Sequence, residues 1–199
     1  FIKNEMPKSL VSKWDQEDYF PKDVFKKLVD LGVTSLTVPE EYGGSGIDMV
    51  ATIATIEELS SRSIGIASGF IQCACYAGLN ILESGSIEQK NELLPRVANG
   101  KLLFSYGISE PDVGGDVASV STIARLENDE VIINGSKRWC SGALIADYIF
   151  ALVRSGPADE RYRNLSIVLI PPPTVKGTKH FSAVLLTTSI IVFLFSLLA

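Results

Sequence analysis

The first half of the chain carries apolar residues at helical spacing. Phe25, Leu28 and Val29 fall on one face, with Pro21 suited to the first position of a helix and Gly32 to its end. The pattern therefore predicts a short amphipathic helix here.

Two longer helices are predicted after it. Asp48 can cap a helix in which Ile53, Ile56 and Leu59 would share the buried face. The run Ser63–Glu83 is rich in glycine, alanine, serine and cysteine, which suits a helix packed closely against its neighbours. We expect a core helix there rather than a membrane span, because polar side chains interrupt the apolar run.

In the second half of the chain the residues follow a two-residue period, which is typical of β-strands. Val120, Thr122, Ala124 and Leu126 would lie on one face of a strand. The dipeptide Asn134–Gly135 is a strong hairpin signal and predicts a turn into a further strand, SKRWCS. A small antiparallel sheet follows from this pattern.

These patterns predict an α+β protein. Residues 1–101 would form an N-terminal all-α helical domain, 102–173 an antiparallel β-barrel or sandwich, and 174–199 an apolar tail. The stretch Ala183–Ala199 has no charge, and as a helix it would reach about 25 Å, slightly short of a bilayer core of about 30 Å. It is either a marginal membrane anchor or non-native coding sequence, and we favour the second. Because the chain begins at Phe1 rather than Met, we expect a truncated fragment.

The composition excludes several classes of protein. With 46% hydrophobic and 21% charged residues the chain is typical of soluble globular proteins, and its net charge of −5 without a basic cluster argues against nucleic acid as a partner. Cys73, Cys75, Cys140 and the single His180 provide neither a disulfide framework nor the spacing of a metal site, and one histidine gives little basis for a Ser/His/Asp triad. Reduced thiols fit the cytoplasm, or the mitochondrial matrix in a eukaryote.

Two turn-rich segments are candidates for ligand contact. Tyr106–Ser119 reads YGISEPDVGGDVAS, in which paired glycines let the backbone approach a flat or phosphorylated ligand and Ser109 offers a hydroxyl. Alone, this segment is better explained as a Pro/Gly-punctuated connection between strands. A second segment, Ile133–Asp147, reads INGSKRWCSGALIAD and changes that balance.

Together the two segments resemble the middle domain of the acyl-CoA dehydrogenase family. The family signature runs aromatic, any, aliphatic, Thr/Ser, Glu, Pro, then a small-Gly-Ser/Thr-Asp cluster, and later N-G-x-K-x-W-I-T. The resemblance covers Trp14 to Pro172 and fades after Pro173, which implies that the β-barrel of 102–173 is incomplete and that the tail 174–199 is divergent. It implies an FAD cofactor, lined by two strips of residues: Tyr106, Ile108, Ser109, Gly114 and Gly115 in the first, and Trp139, Cys140 and Ser141 in the second.

The chain departs from the family pattern at two positions. Val113 stands where the family usually has a small residue, and Gly115 stands where it usually has serine or threonine. The position of Gly115 is also the one that the resemblance assigns to substrate binding, so a hydroxyl contact to acyl-CoA or flavin is missing there.

The resemblance implies a flavoprotein oxidoreductase of fatty acid metabolism that acts on the CH–CH bond of acyl-CoA thioesters. A complete member would pass electrons to a partner protein and form a homo-oligomer. The family's catalytic base lies after the barrel or on its loops, and neither Glu110 nor Asp112 is its equivalent, so we assign no catalytic residue and expect this chain alone to be inactive.

Other readings stay open. The chain could be a non-catalytic remnant that binds flavin or CoA, one half of a split enzyme, or an interaction protein anchored in a membrane by its tail. Oxidase and monooxygenase relatives share the same middle-domain motifs.

Overall fold

The structure is a computed structural model that describes residues 1–127, 130–171 and 184–186. The chain forms two compact units, Phe1–Leu82 with Ile87–Leu103, and Glu83–Ser86 with Phe104–Ala199. The domain boundaries given by the sequence analysis stay a prediction.

The chain up to Gly100 is mostly helical. Its helices are α1 (Ile2–Glu5), α2 (Lys8–Gln16), α3 (Lys22–Val29), α4 (Met49–Ser60), α5 (Ile64–Phe70), a π-helical run (Ile71–Leu79), α6 (Asn80–Ser84) and α7 (Ile87–Ala98), with 3-10 turns at Val33–Leu36 and Glu40–Tyr42. Two short antiparallel strands, β1 (Thr37–Val38) and β2 (Gly46–Ile47), form a separate ribbon.

The predicted helix after Pro21 is confirmed as α3. It buries Val24, Phe25 and Leu28, and the left-handed Gly32, with φ of 80°, follows its end. Pro21 occupies the residue before the first helical one, so the helix begins one position later than predicted.

The cap of α4 is also confirmed, but its buried face is not the predicted one. The Asp48 carboxylate accepts a hydrogen bond from the Ala51 amide at 2.9 Å. Thr52 and Leu59 are buried, whereas Ile53 is 56% exposed. Thr52 can turn inward because its hydroxyl donates to the Asp48 carbonyl at 2.7 Å, which satisfies its polar group.

The small-residue run forms the predicted close-packed helix. Ala74, Ala77 and Cys73 are fully buried, and the Thr37 hydroxyl donates to the Ala74 carbonyl at 2.7 Å. Of the residues that the structure describes, the helical run Ile64–Ser84 is the one long and apolar enough to cross a membrane, and half of its apolar window is buried. Core helices of soluble proteins share this length and composition.

The second unit is built on one sheet. Its strands are β3 (Phe104–Gly107), β4 (Ile123–Glu127), β5 (Glu130–Asn134), β6 (Tyr148–Arg154), β7 (Leu165–Ile170) and β8 (Val184–Leu186). They lie in the order β5-β4-β6-β7-β8, and β3 also pairs with β6. The helical-then-sheet α+β class is confirmed, but the sheet is mixed rather than purely antiparallel, because β6 pairs in parallel with both β3 and β4.

The turn predicted at Asn134–Gly135 does not lead into a further strand. β4 and β5 pair antiparallel with Glu127 opposite Glu130, and the turn residues 128 and 129 lie outside the described residues. After Asn134, however, residues 136–141 form no strand. Trp139 has a φ of 61°, which a strand cannot accommodate, so the hairpin prediction at Asn134–Gly135 is wrong.

The membrane-anchor alternative for Ala183–Ala199 requires a helix, and the three described residues of that stretch are not helical. Val184–Leu186 form β8, which pairs antiparallel with β7. Without β8, the backbone N–H and C=O groups on that edge of β7 would be unpaired. An extended segment can form hydrogen bonds with them, whereas a helix cannot. The other residues of that tail lie outside the described ranges.

Candidate functional site

The two motif segments of the second unit meet along their backbones. The amide of Arg138 donates to the Ser109 carbonyl at 2.8 Å. The Lys137 ammonium donates to the Ile108 carbonyl at 3.1 Å. The structure therefore brings together the two strips that the resemblance assigns to one ligand.

A buried carboxylate lies at the centre of this junction. Glu110 accepts four hydrogen bonds: from the Ser121 amide at 2.7 Å, the Ser121 hydroxyl at 2.6 Å, the Thr122 amide at 2.9 Å and the Lys137 ammonium at 2.8 Å. The side chains of Glu110 and Lys137 are 2% and 11% exposed. One ion pair thus fixes the first motif segment, the start of β4 and the second motif segment to each other.

The pKa values of Glu110 and Lys137 both lie below their ordinary values, for different reasons. Burial alone would raise the pKa of Glu110, but the hydrogen bonds from Lys137, Ser121 and Thr122 outweigh it and hold that pKa far below 4.5. Burial lowers the pKa of Lys137 from 10.5, and the attraction of Glu110 opposes that shift. A carboxylate with every oxygen satisfied in this way cannot take up a proton near neutral pH.

Tyr106 belongs to the sheet that supports the junction. It lies in β3 opposite Phe150 of β6, and the two rings stack 5.0 Å apart at an interplanar angle of 3°. The following residue, Gly107, leaves little room, since an added Cβ would lie 3.0 Å from the Ile149 side chain. This packing fixes the direction in which the chain leaves the sheet towards Ser109.

Gly114 and Gly115 follow a tight turn and lie open. The Glu110 amide donates to the Val113 carbonyl at 2.8 Å, which closes the turn. A Cβ added at either glycine would meet no atom of the described residues within 4 Å. Neighbouring protein atoms therefore do not require glycine here, and the bare backbone is free for close approach by a ligand.

Trp139 is presented outward by a strained backbone. Its side chain is 78% exposed although its φ is 61°, a conformation costly for a bulky residue. The Arg138 guanidinium lies 5.3 Å from the centre of the indole ring. Next to it, burial raises the pKa of the half-buried Cys140 thiol, opposed by the charge of Lys137, and Ser141 is exposed.

Sequence reasoning missed the residues that hold the two segments. Lys137 pairs with a carboxylate 27 positions away, and Arg161 pairs at 2.5 Å with Asp116, 45 positions away. The lysine of the N-G-x-K motif was visible in the sequence, but nothing local indicated its partner. Arg161 lies in a charged loop that carries no motif.

Comparisons with known proteins bear on both units. The model of the acyl-CoA dehydrogenase N-terminal domain matches residues 1–101, and that of the acyl-CoA dehydrogenase middle domain matches residues 105–190. The expectation that the resemblance starts near Trp14 and fades after Pro173 is therefore corrected at both ends.

Individual relatives match most of the chain. The mitochondrial isobutyryl-CoA dehydrogenase of Dictyostelium discoideum is 33% identical over 171 residues, which make up 85% of this chain and 40% of the relative. A glutaryl-CoA dehydrogenase solved with glutaryl-CoA is 28% identical, with a TM-score of 0.81 over 94% of this chain and 51% of that one.

A third structure, the FAD complex of PigA, shares the fold at 23% identity, with a TM-score of 0.74 over 91% of this chain and 51% of that one. This chain spans about half the length of the solved relatives, and less of the Dictyostelium enzyme. The family matches cover both of its units, and the chain belongs to the acyl-CoA dehydrogenase family.

Proposed function

We propose that this chain supplies part of the flavin and thioester site of an FAD-dependent acyl-CoA dehydrogenase. The protein to which it contributes would oxidise the CH–CH bond of acyl-CoA thioesters, pass the electrons to a partner protein and form a homo-oligomer. The observation that carries the proposal is the Glu110–Lys137 pair, because it joins the two motif segments into one surface.

The residues present fit a flavin. The open backbone at Gly114 and Gly115 admits a ligand to close contact, and the exposed indole of Trp139 offers a flat apolar face. When bound, FAD would accept the hydride that leaves the β-carbon of the thioester. Gly114, Gly115 and Trp139 would bind and orient it.

Ser109 and its neighbours would supply hydrogen-bond donors. The Arg138 amide donates to the Ser109 carbonyl, so the backbone from which the half-buried Ser109 side chain extends is held in place. Its hydroxyl and nearby backbone amides would donate to a ring that gains negative charge on reduction. Tyr106, Ile108, Cys140 and Ser141 would complete the wall around that ring.

Proton abstraction is not assigned to Glu110. Its carboxylate accepts four hydrogen bonds, and its pKa is held far below 4.5. A general base needs a pKa near the working pH and access to the substrate proton, and Glu110 has neither. Its role is structural, and the expectation that the chain alone is inactive stays a prediction.

The proposal is tested by titrating the purified chain into FAD and following flavin fluorescence. We expect saturable quenching of flavin fluorescence. The affinity for FAD should be about tenfold lower in Trp139→Ala, since aromatic contacts with flat rings contribute about 1–3 kcal/mol. Tyr19→Ala, which removes another exposed aromatic ring from the first unit, should leave the affinity unchanged.

In the second arm of the test, isobutyryl-CoA or glutaryl-CoA is added to the flavin-loaded chain. A shift of the flavin absorbance band on addition would show that the thioester reaches the same site. No saturable change in flavin fluorescence at any chain concentration would refute the proposed function. Quenching that is identical in wild type and Trp139→Ala would refute the assigned site.

A further inference from the structure

The loop between β6 and β7 lies outside the two motif segments, yet it contacts the residue that follows Gly115. Arg161 in this loop donates to the Asp116 carboxylate at 2.5 Å. Asp116 directly follows Gly115, so the contact lies one residue from the open backbone.

The other oxygen of Asp116 is also engaged. The Ser119 hydroxyl donates to it at 2.6 Å, and the Ser119 amide donates to the Asp116 carbonyl at 3.0 Å. Asp116 therefore holds the short turn Val117–Ser119 from within and accepts an outside cation at the same time. Both contacts favour the ionised carboxylate, and they lower the pKa of Asp116 below 3.8.

The loop that carries Arg161 is itself braced. Asn164, almost fully buried, donates from its side chain to the Pro157 carbonyl at 2.7 Å, and its own carbonyl accepts from the Ser155 amide at 2.8 Å. Tyr162 has a φ of 70°, and the Arg161 guanidinium lies 5.3 Å from its ring centre. An arginine on a closed loop loses less conformational freedom when it forms an ion pair than one on an open chain.

From these contacts we infer that Arg161 is a positioning residue for ligand binding, acting through Asp116 on the backbone of Gly114 and Gly115. The inference rests on the proposed function, since it assigns Arg161 to the same flavin and thioester site. Within the described residues no atom lies within 4 Å of where a Cβ of either glycine would be, so an ion pair adjacent to the glycines would limit the conformations that their amides sample.

The first experiment needs no ligand. Hydrogen exchange is measured for the peptide that contains Gly114 to Ser119 in wild type, Arg161→Ala, Arg161→Lys and Arg163→Ala. We expect about two- to fivefold faster exchange in Arg161→Ala, the range of exposed ion pairs, and partial recovery in Arg161→Lys. Arg163 is the matched control, because it lies exposed in the same loop and its backbone amide, which the substitution leaves in place, donates to the Glu160 carbonyl at 3.1 Å.

The second experiment measures the FAD affinity of the same variants at increasing salt. Arg161→Ala should bind about two- to fivefold more weakly at low salt, and its ratio to wild type should approach one as salt screens the pair. Faster exchange with unchanged affinity would overturn the positioning role and leave Arg161 as a surface tether.

Equal behaviour of Arg161→Ala and Arg163→Ala in both experiments would overturn the inference altogether. Failure of wild type to bind FAD would refute the proposed function and the positioning role with it. The exchange experiment would then still decide whether the Arg161–Asp116 contact orders the segment, so the two failures are distinguishable.

Discussion

Replacing Lys137 by methionine tests whether the buried pair holds the site together. The substitution keeps the length and apolar stem of the side chain but leaves the Glu110 carboxylate without its cation in a place where that carboxylate is 2% exposed. Removing one partner of a buried pair typically costs about 3–5 kcal/mol. Three hydrogen bonds from Ser121 and Thr122 remain, so we expect a loss at the lower end, about 3 kcal/mol.

The loss is measured by native-state hydrogen exchange of amides in β6 and β7, since these strands report the stability of the second unit separately from the first. Arg125→Met is the matched control, because Arg125 is an exposed cation on β4 of the same sheet. It should change the free energy of unfolding by less than about 0.5 kcal/mol.

A double variant separates the charge from the packing. Adding Glu110→Gln to Lys137→Met removes the unpaired charge, so most of the lost stability should return, because two neutral partners carry a smaller burial cost than one isolated ion. A loss in Lys137→Met no larger than in Arg125→Met would refute the reasoning. So would a double variant that is less stable than Lys137→Met.

The pH dependence gives an independent check of sign. The folded-state pKa of Glu110 lies below its ordinary 4.5, so its contribution to stability is complete above that pH and declines as the pH falls below it. In that acid range the unfolded chain binds a proton that the folded protein does not. Wild type should therefore lose up to about 1.4 kcal/mol more per pH unit than the double variant, and parallel pH profiles would contradict the assignment.

Two further predictions concern single residues. Gly135→Ala should lower the stability of the second unit by about 2 kcal/mol or more, since its Cβ would lie 2.5 Å from the Thr122 Cα, whereas Gly114→Ala should leave hydrogen exchange of β6 and β7 unchanged. Asp48→Ala should cost the first unit about 1 kcal/mol by removing the cap of α4, measured by exchange of α4 amides against Glu57→Ala on the same helix, and equal effects of the two would exclude the cap.

Local signals explain which elements could be predicted. The start of α4 was predicted correctly, because a cap depends on residues only three positions apart, here Asp48 and Ala51. The predicted buried face of α4 was wrong at Ile53. Two adjacent faces of this helix carry apolar residues, and only the tertiary packing decides which of them is buried. Thr52 took the inward position since its hydroxyl found a backbone partner.

The site shows the same division. The Asn134–Gly135 signal coincides with the end of β5, but the segment that follows is held by Lys137 and Arg138 rather than by a strand partner. Periodicity cannot indicate a contact between residues 27 or 45 positions apart. The motif letters could be matched to a family, whereas the ion pairs that hold them required the fold.

The two kinds of glycine in the site separate stability from binding. Gly135 is required by the protein itself, because a side chain there would overlap Thr122, whose amide donates to Glu110. No atom of the described residues requires glycine at positions 114 and 115, which leaves their backbone open to approach by a ligand. An irregular segment with few contacts of its own can present such a backbone only when its ends are fixed. The Glu110–Lys137 pair fixes one end and Asp116 the other, so the proposed ligand-binding surface depends on ion pairs on both sides of it rather than on the sheet alone.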